Sequence, residues 1–234
     1  MNNLFTLIVM LFALTAFAQT NYWSVYDFEV KPGHEGEIIR AFDQFFESET
    51  GKSLPPAALS AAMFTNSETK FSHRLVFSSS DKEAFGKMYS GMLQQSKDMA
   101  ILGMTMDKAI KPIGSYLGKA LISSPTPDNS YRTIYQLSVS DPTTYAAAFT
   151  KMRTALIAKS GGKLGLDLHQ IISGNEPGST HAVVASAASM VELLDFTDMV
   201  FSSAEFKEFA GKVKDIRKVQ SIYTTYRAKK YNVD

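Results

Sequence analysis

Tyr22–Val30 reads YWSVYDFEV, and Tyr131–Val139 reads YRTIYQLSV. The odd positions of both stretches run Tyr, Ser or Thr, Tyr, Phe or Leu, and Val. This alternation predicts a strand with one apolar face and one mixed face in each place. The segments that follow the first copy also recur after the second in the same order, so the sequence predicts an internal duplication.

Each half reads as strand, helix, strand, strand, helix and strand, with the second helical connection split in two. This pattern predicts an α+β fold of two tandem ferredoxin-like units that form a pseudo-dimeric α+β barrel. A single unit would leave one face of its sheet uncovered, and two units can cover these faces for each other. The expected boundaries are residues 1–18 for a signal peptide, 19–122 for the first unit, 123–130 for a linker and 131–234 for the second unit.

The N-terminus has the pattern of a secretory signal. An apolar run, Leu4–Leu14, precedes Ala16-Phe17-Ala18, which has the small residues of a signal-peptidase site. The run is short for a bilayer span, although a membrane anchor is the alternative interpretation. We therefore expect export to the periplasm or the cell exterior after cleavage near Ala18, with no membrane association of the mature chain.

The composition excludes several classes of function. The chain has no cysteine, which rules out disulfides, thiolate catalysis and cysteine-bound metal. Its formal net charge is +1, and no basic patch dominates, which argues against nucleic acid as a partner. A small-molecule ligand and self-association remain open as partners. No histidine or carboxylate grouping has the ligand count of a metal site, so no metal is expected.

The helices carry apolar stripes and start signals. Ser80 with Glu83, and Ser202 with Glu205, have the spacing of capping boxes, and Pro112 is expected to close the second helical piece of the first half. The stripes of Phe and Met, and the pair Tyr26 and Tyr135, are interpreted as core and not as a cofactor site.

The segment Ser202–Phe209, SSAEFKEF, carries a family resemblance. It is similar to the run of a small residue, an acidic residue and two Phe residues that precedes the last strand in monooxygenase-like members of the dimeric α+β barrel superfamily. The superfamily also has stress-responsive and haem-handling branches. The resemblance covers the whole mature chain at the level of the fold, and fold alone does not imply function.

The resemblance argues against haem as a cofactor. Tandem haem members of the superfamily hold the iron through a histidine on a helix of the second half. The expected second-half helices, Pro142–Ser160, Val191–Val200 and Ala204–Val219, contain no histidine. Single-unit haem-degrading members also use an Asn on the first strand, which both repeated strands lack. No cofactor is therefore expected.

His73 and His181 occupy equivalent places, each at the start of the third strand of its half. One hypothesis makes them ligand-contacting or acid–base residues, because imidazole titrates near neutral pH. The other hypothesis makes them strand-end residues that fix a turn through hydrogen bonds. Equivalent places in a duplicated fold lie far apart, which argues against a metal shared by the two.

The mixed faces of the strands supply the second set of candidates. Trp23, Asp27, Arg132 and Gln136 should face the space between the two sheets, and Arg74 lies on the equivalent face of the neighbouring strand. These side chains predict a cavity that holds a small polar or aromatic molecule. The alternative is a buried polar network that sets how the halves register.

Three functions follow from this reading. The first is an exported barrel that binds a small molecule or a protein partner, without a recognisable catalytic set. The second is a cofactor-independent monooxygenase-like or isomerase-like enzyme that acts on a small aromatic substrate in the cavity between the sheets. The third is a structural envelope protein. Solvent access to the cavity favours the first two, and a dry, fully paired interior favours the third.

Overall fold

The computed structural model describes residues 21–65, 70–94, 96–124, 129–174 and 178–233, of which the side chain of Leu93 is left out. The expected signal peptide lies outside these residues, as do parts of the expected linker and of two turns. The described strands are β1 Tyr22–Val30, β2 Ala57–Phe64, β3 His73–Ser79, β4 Ile110–Ile122, β5 Tyr131–Val139, β6 Gly165–Ser173, β7 His181–Ala187 and β8 Arg217–Tyr231. The described helices are α1 Glu35–Glu47, α2 Glu49–Lys52, α3 Lys82–Leu93, α4 Lys97–Ala109, α5 Pro142–Lys159, α6 Met190–Ser202 and α7 Ala204–Val213.

The strands close into one antiparallel barrel in the order β1-β3-β2-β8-β5-β7-β6-β4. The α+β class and the barrel are therefore confirmed. Strands β1 and β5 hold the repeated stretches and have the predicted bounds. The two halves of the chain meet at two seams, where β2 pairs with β8 and β4 pairs with β6.

The helices lie outside the barrel, and the main apolar core lies beneath them. One buried cluster packs α1, α3 and α4 on the first half, with Phe42 and Phe77 among its members. A second cluster packs α5, α6 and α7 on the other half, with Phe149 and Phe196 among its members. Odd positions of the repeated strands face these helices, and even positions face the barrel interior, as the period of two requires.

Several helix boundaries differ from the sequence expectation by one residue or more. Asp81, not Ser80, caps α3 by accepting the N–H of Glu83. Ser203, not Ser202, caps α7. The complete capping box belongs to Ser189 and Glu192 at the start of α6. In each corrected case two capping residues stand side by side, and the backbone geometry selects the second.

Pro112 does not close a helix. Helix α4 ends at Ala109, and Pro112 lies inside β4 opposite Phe28, where the pairing of β1 with β4 shifts register. A proline lacks the N–H that a regular ladder needs, so an irregular position is where a strand can hold one. None of the helices in the described part of the chain is both long and apolar enough to cross a bilayer.

Candidate functional site

The mixed faces of β1, β3 and β5 meet inside the barrel, as the alternation predicts. Arg74 is buried and forms a two-point ion pair with Asp27, with Nε–Oδ1 and Nη2–Oδ2 distances of 2.9 and 2.8 Å. The register explains the pair, because Asp27 and Arg74 lie directly opposite each other on β1 and β3. Burial raises the pKa of Asp27, and the charge and hydrogen bonds of Arg74 oppose that rise.

Tyr223 joins this ion pair to the second half of the chain. Its hydroxyl oxygen accepts from Arg74 Nη1 at 3.1 Å and from Gln136 Nε2 at 3.2 Å. It lies 3.3 Å from the hydroxyl oxygen of Tyr116. Because two donors already point at the Tyr223 oxygen, its own hydrogen is directed toward Tyr116. The network therefore crosses from one half to the other.

Arg74 is also enclosed by aromatic rings. Its guanidinium carbon lies 4.3 Å from the ring centroid of Phe71 and 4.8 Å from that of Tyr223. The sequence pattern places Phe71 on the helix side with His73 and Leu75, and this is wrong. The strand begins only at His73 after a bend at Ser72, so Phe71 turns into the barrel and packs with Ile134 and Tyr223.

Trp23 and Arg132 lie on the inward faces as well, nearer the start of β1 and β5. Trp23 Nε1 donates to His169 Nδ1 at 3.0 Å. Burial lowers the pKa of His169 to about 4, and the charge of Arg132 adds to this effect. The imidazole is therefore neutral at physiological pH, which leaves Nδ1 free to accept the indole hydrogen.

His73 and His181 lie apart from this interior, at matching turns of the two halves. Nδ1 of His73 is 3.0 Å from Ser72 Oγ, and Nδ1 of His181 is 2.8 Å from Thr180 Oγ1. Each hydroxyl also accepts a backbone N–H from the end of the first strand of its half, that of Val30 at 2.8 Å and that of Val139 at 3.0 Å. Since each hydroxyl has its hydrogen left to donate, this geometry matches the turn-fixing hypothesis. A role of either histidine in ligand binding stays a prediction.

A cavity of about 450 Å³ lies between the first-half sheet and helices α1, α3 and α4. We call it the sheet–helix cavity. Its lining is almost wholly apolar, with Asp27, Ser115 and Tyr26 as the polar contributions. The lining residues are Tyr26, Asp27, Phe28, Phe42, Phe45, Leu75, Phe77, Met92, Met99, Leu102, Met106, Ile110, Pro112, Ile113, Gly114 and Ser115.

The cavity is on the opposite side of the sheet from the space that the sequence analysis favours. Of the predicted ligand-binding residues, only Asp27 lines it. The cavity reaches Asp27 beside Gly114, its partner on β4, where no heavy atom lies within 4 Å of the place for a Cβ. The Phe and Met stripes predicted as core do form core, but Met92, Met99 and Met106 are only part-buried because they line this space.

Tyr26 stands at the polar side of the cavity. Its hydroxyl donates to Met92 Sδ at 4.0 Å, and burial together with Tyr89 raises its pKa. It is therefore a neutral hydrogen-bond donor at physiological pH. A second, smaller cavity of about 250 Å³ shares Met92 and Met99 with the first and extends toward Thr50 and Lys87. These two flexible side chains separate the interior space from the outer face of α3.

No family model matches this sequence. No curated protein matches it either. Solved structures match the fold. An anthrone oxidase-like protein has a TM-score of 0.58 at 10% identity, covering 92% of this chain and 94% of the other. A candidate monooxygenase from Lactobacillus acidophilus NCFM has a TM-score of 0.56 at 11% identity, covering 92% and 100%.

A mutant chlorite dismutase from Candidatus Nitrospira defluvii has a TM-score of 0.55 at 8% identity, covering 88% of this chain and 91% of the other. Because haem occurs in this superfamily, we compared the sheet–helix cavity with the needs of haem. Its described lining has no histidine, and no lysine or arginine to pair with the two propionates. Its one carboxylate, that of Asp27, is engaged by Arg74. These residues do not fit haem.

The matching structures cover nearly the whole described chain and have the same closed antiparallel sheet with outer helices. The barrel order and these likenesses agree with the resemblance of the Ser202–Phe209 segment. The chain has the fold of the dimeric α+β barrel superfamily.

Proposed function

We propose that the protein binds a small, largely apolar molecule of aromatic type in the sheet–helix cavity. The observation that carries this proposal is the cavity itself. Its volume of about 450 Å³ lies in the range of small-molecule sites, and its lining is apolar with a few polar groups at one side. Phe42, Phe45 and the three methionines offer flat and adaptable apolar contacts.

The polar side would orient the ligand. Tyr26 offers a neutral hydroxyl, and Asp27 offers carboxylate oxygens that Arg74 holds in place. A ligand with one hydroxyl or carbonyl group on an otherwise apolar ring system would match this arrangement. A ligand with several charges would lose its hydration without gaining partners, so the cavity selects against it.

A fluorescence titration with N-phenyl-1-naphthylamine, a neutral apolar fluorophore, tests the proposal. We expect saturable binding to the wild type. Met106→Trp fills the cavity and should weaken binding at least tenfold. Met104→Trp is the matched control, because Met104 lies on the same helix and is 67% exposed. Equal binding by both variants would place the fluorophore elsewhere and overturn the proposal.

A second candidate function is a cofactor-independent monooxygenase-like reaction on an aromatic substrate in the same cavity. The structural neighbours described as a monooxygenase and as anthrone oxidase-like favour it. With anthrone as the probe, dissolved O2 would be the oxidant. One oxygen atom would become the new ring carbonyl, and the other would leave as water with the two methylene hydrogens.

In this second function, the chain would exclude water through its apolar lining and hold the substrate oxygen near Tyr26 and Asp27. Oxygen uptake and quinone absorbance with anthrone measure it. Turnover lost in Met106→Trp and kept in Met104→Trp supports the enzyme, whereas fluorophore binding without any turnover supports a binding protein alone.

We also propose that the halves are tandem ferredoxin-like units, with bounds at residues 19–122 and 131–234. The strand orders β4-β1-β3-β2 and β8-β5-β7-β6 support this, because the second repeats the first. Export remains a proposal that rests on Leu4–Leu14 and the Ala16-Phe17-Ala18 site. The intact mass of the protein from its native cell tests it, and a mass that includes residues 1–18 would contradict cleavage.

A further inference from the structure

Arg132 differs from the other arginines that enter the folded body. Among the described residues, its guanidinium makes no hydrogen bond and no ion pair, and its Nε is buried without a partner. Arg74, in contrast, bonds to Asp27 and Tyr223, and Arg153 bonds to Leu166 O at 2.7 Å and to Ser124 Oγ at 2.7 Å. A guanidinium offers five donors, so leaving all of them unused inside a fold is costly.

The side chain of Arg132 is nevertheless reachable. The residue as a whole is part-exposed, although its Nε is not. It lies near the start of β5 at one end of the barrel, opposite Thr225 on β8 and Ser186 on β7. A solute at this end of the barrel can therefore approach the outer nitrogens of the guanidinium.

The charges around Arg132 leave an excess of positive charge. Burial and then the charge of Arg227 lower the pKa of Arg132 to about 10, and the charge of Asp167 opposes this. Asp167 forms no ion pair with Arg132 within the described residues, and its Oδ1 accepts the N–H of Ser124 at 2.7 Å. His169 is neutral, as shown above. Two guanidinium groups thus face one carboxylate.

Hydroxyl groups complete the surroundings. Ser186 Oγ accepts from Asn129 Nδ2 at 3.2 Å and so has its own hydrogen left to donate. Thr225, on the other side, is buried. We propose that the Arg132 end of the barrel is a binding site for a small carboxylate. A planar guanidinium matches a carboxylate in two-point geometry, and a monoanion balances the single excess charge.

This site is separate from the sheet–helix cavity, because none of its residues lines that cavity. Trp23 gives it a local reporter. The chain has one tryptophan, and its indole donates to His169, whose pKa responds to the charge of Arg132. A change of charge at Arg132 therefore reaches the fluorophore through one imidazole ring.

The experiment is a titration of Trp23 fluorescence with sodium acetate at constant ionic strength, with chloride and phosphate as comparison anions. We expect a saturable response to acetate with an affinity at least tenfold higher than for chloride. Arg132→Gln should abolish it, and Arg132→Lys, which keeps the charge without the planar fork, should weaken it about tenfold. Arg40→Gln is the control for loss of a surface charge, since Arg40 is exposed.

The outcomes separate clearly. An acetate response that survives in Arg132→Gln, or one that is equal for acetate and chloride, overturns the site. Tighter binding of phosphate than of acetate overturns the carboxylate class. Circular dichroism monitors folding of the variants, and Arg132→Gln should unfold at no lower urea concentration than the wild type, because it removes an unpaired buried charge. If Arg132→Gln does not fold, Arg132→Lys decides.

Discussion

The hydroxyl oxygens of Tyr116 and Tyr223 lie 3.3 Å apart, although 107 residues separate them in the chain. Tyr116 pairs with Val25 and Tyr223 pairs with Ile134, and these partners occupy the same position of the two repeated stretches. The two tyrosines are thus equivalent residues that meet inside the barrel. Their contact is part of the polar network that holds the two halves in register.

Tyr223 should matter more for stability than Tyr116. Tyr223→Phe leaves the buried donors Arg74 Nη1 and Gln136 Nε2 without their acceptor, which we expect to lower the free energy of unfolding by about 1–3 kcal/mol. Tyr116→Phe removes one hydrogen bond and should cost about 1 kcal/mol or less. Urea unfolding of both variants measures this. Equal losses would mean that the Tyr223 oxygen is not the centre of the network.

The ion pair of Asp27 and Arg74 gives a second prediction. Asp27→Asn leaves a buried guanidinium without its counter-charge, so the free energy of unfolding should fall by about 3–5 kcal/mol. The double variant Asp27→Leu with Arg74→Met removes both charges and should recover most of that loss. A double variant as unstable as Asp27→Asn would show that the pair serves a purpose other than mutual neutralisation.

His169 makes stability depend on pH. Its pKa falls from 6.5 to about 4 on folding, so its contribution is present above pH 6.5 and is lost as the pH falls toward 4. The full shift corresponds to roughly 3 kcal/mol. His169→Gln keeps an acceptor for Trp23 without titrating, and should lose less stability between pH 7 and pH 4.5. Urea midpoints at both pH values measure the difference, and parallel losses in both proteins would contradict the assignment.

Two glycines of β4 that face the barrel interior provide a matched pair. A Cβ on Gly118 would lie 2.1 Å from Trp23 Cζ2 and 2.6 Å from the backbone oxygen of Gln170. Gly118→Ala should therefore cost about 1–3 kcal/mol by overpacking. Gly114→Ala meets no atom within 4 Å and should be close to neutral. Thermal unfolding compares them, and similar melting temperatures would show that Trp23 can move aside.

Much of the fold was predictable because strands have a period of two. Tyr22–Val30 and Tyr131–Val139 had the right bounds and the right inward faces, so Trp23, Asp27 and Gln136 were placed inside the barrel from sequence alone. Irregular backbone was not predictable in this way. The bend at Ser72 reversed the direction of Phe71, and no pattern of hydrophobicity marks such a bend.

The candidate site was harder to predict than the fold. A stripe of Met and Phe at helical spacing has the same pattern whether it packs tightly or lines a cavity, and only the distance between sheet and helices distinguishes the two. The density of methionine, with Met92, Met99 and Met106 on two successive helices, was the available signal, because flexible thioethers suit an adaptable surface. The role of Tyr223 left no signal, since its partners come from the other half.

The two seams, β2 with β8 and β4 with β6, make each half of the chain complete the other. Expressed as separate polypeptides, residues 21–124 and residues 129–233 would each present two bare strand margins to solvent, and such margins recruit further chains. Mixed together, the two fragments should instead reconstitute one ring from two pieces. Two-chain reassembly is therefore built into the way the circle of strands is closed.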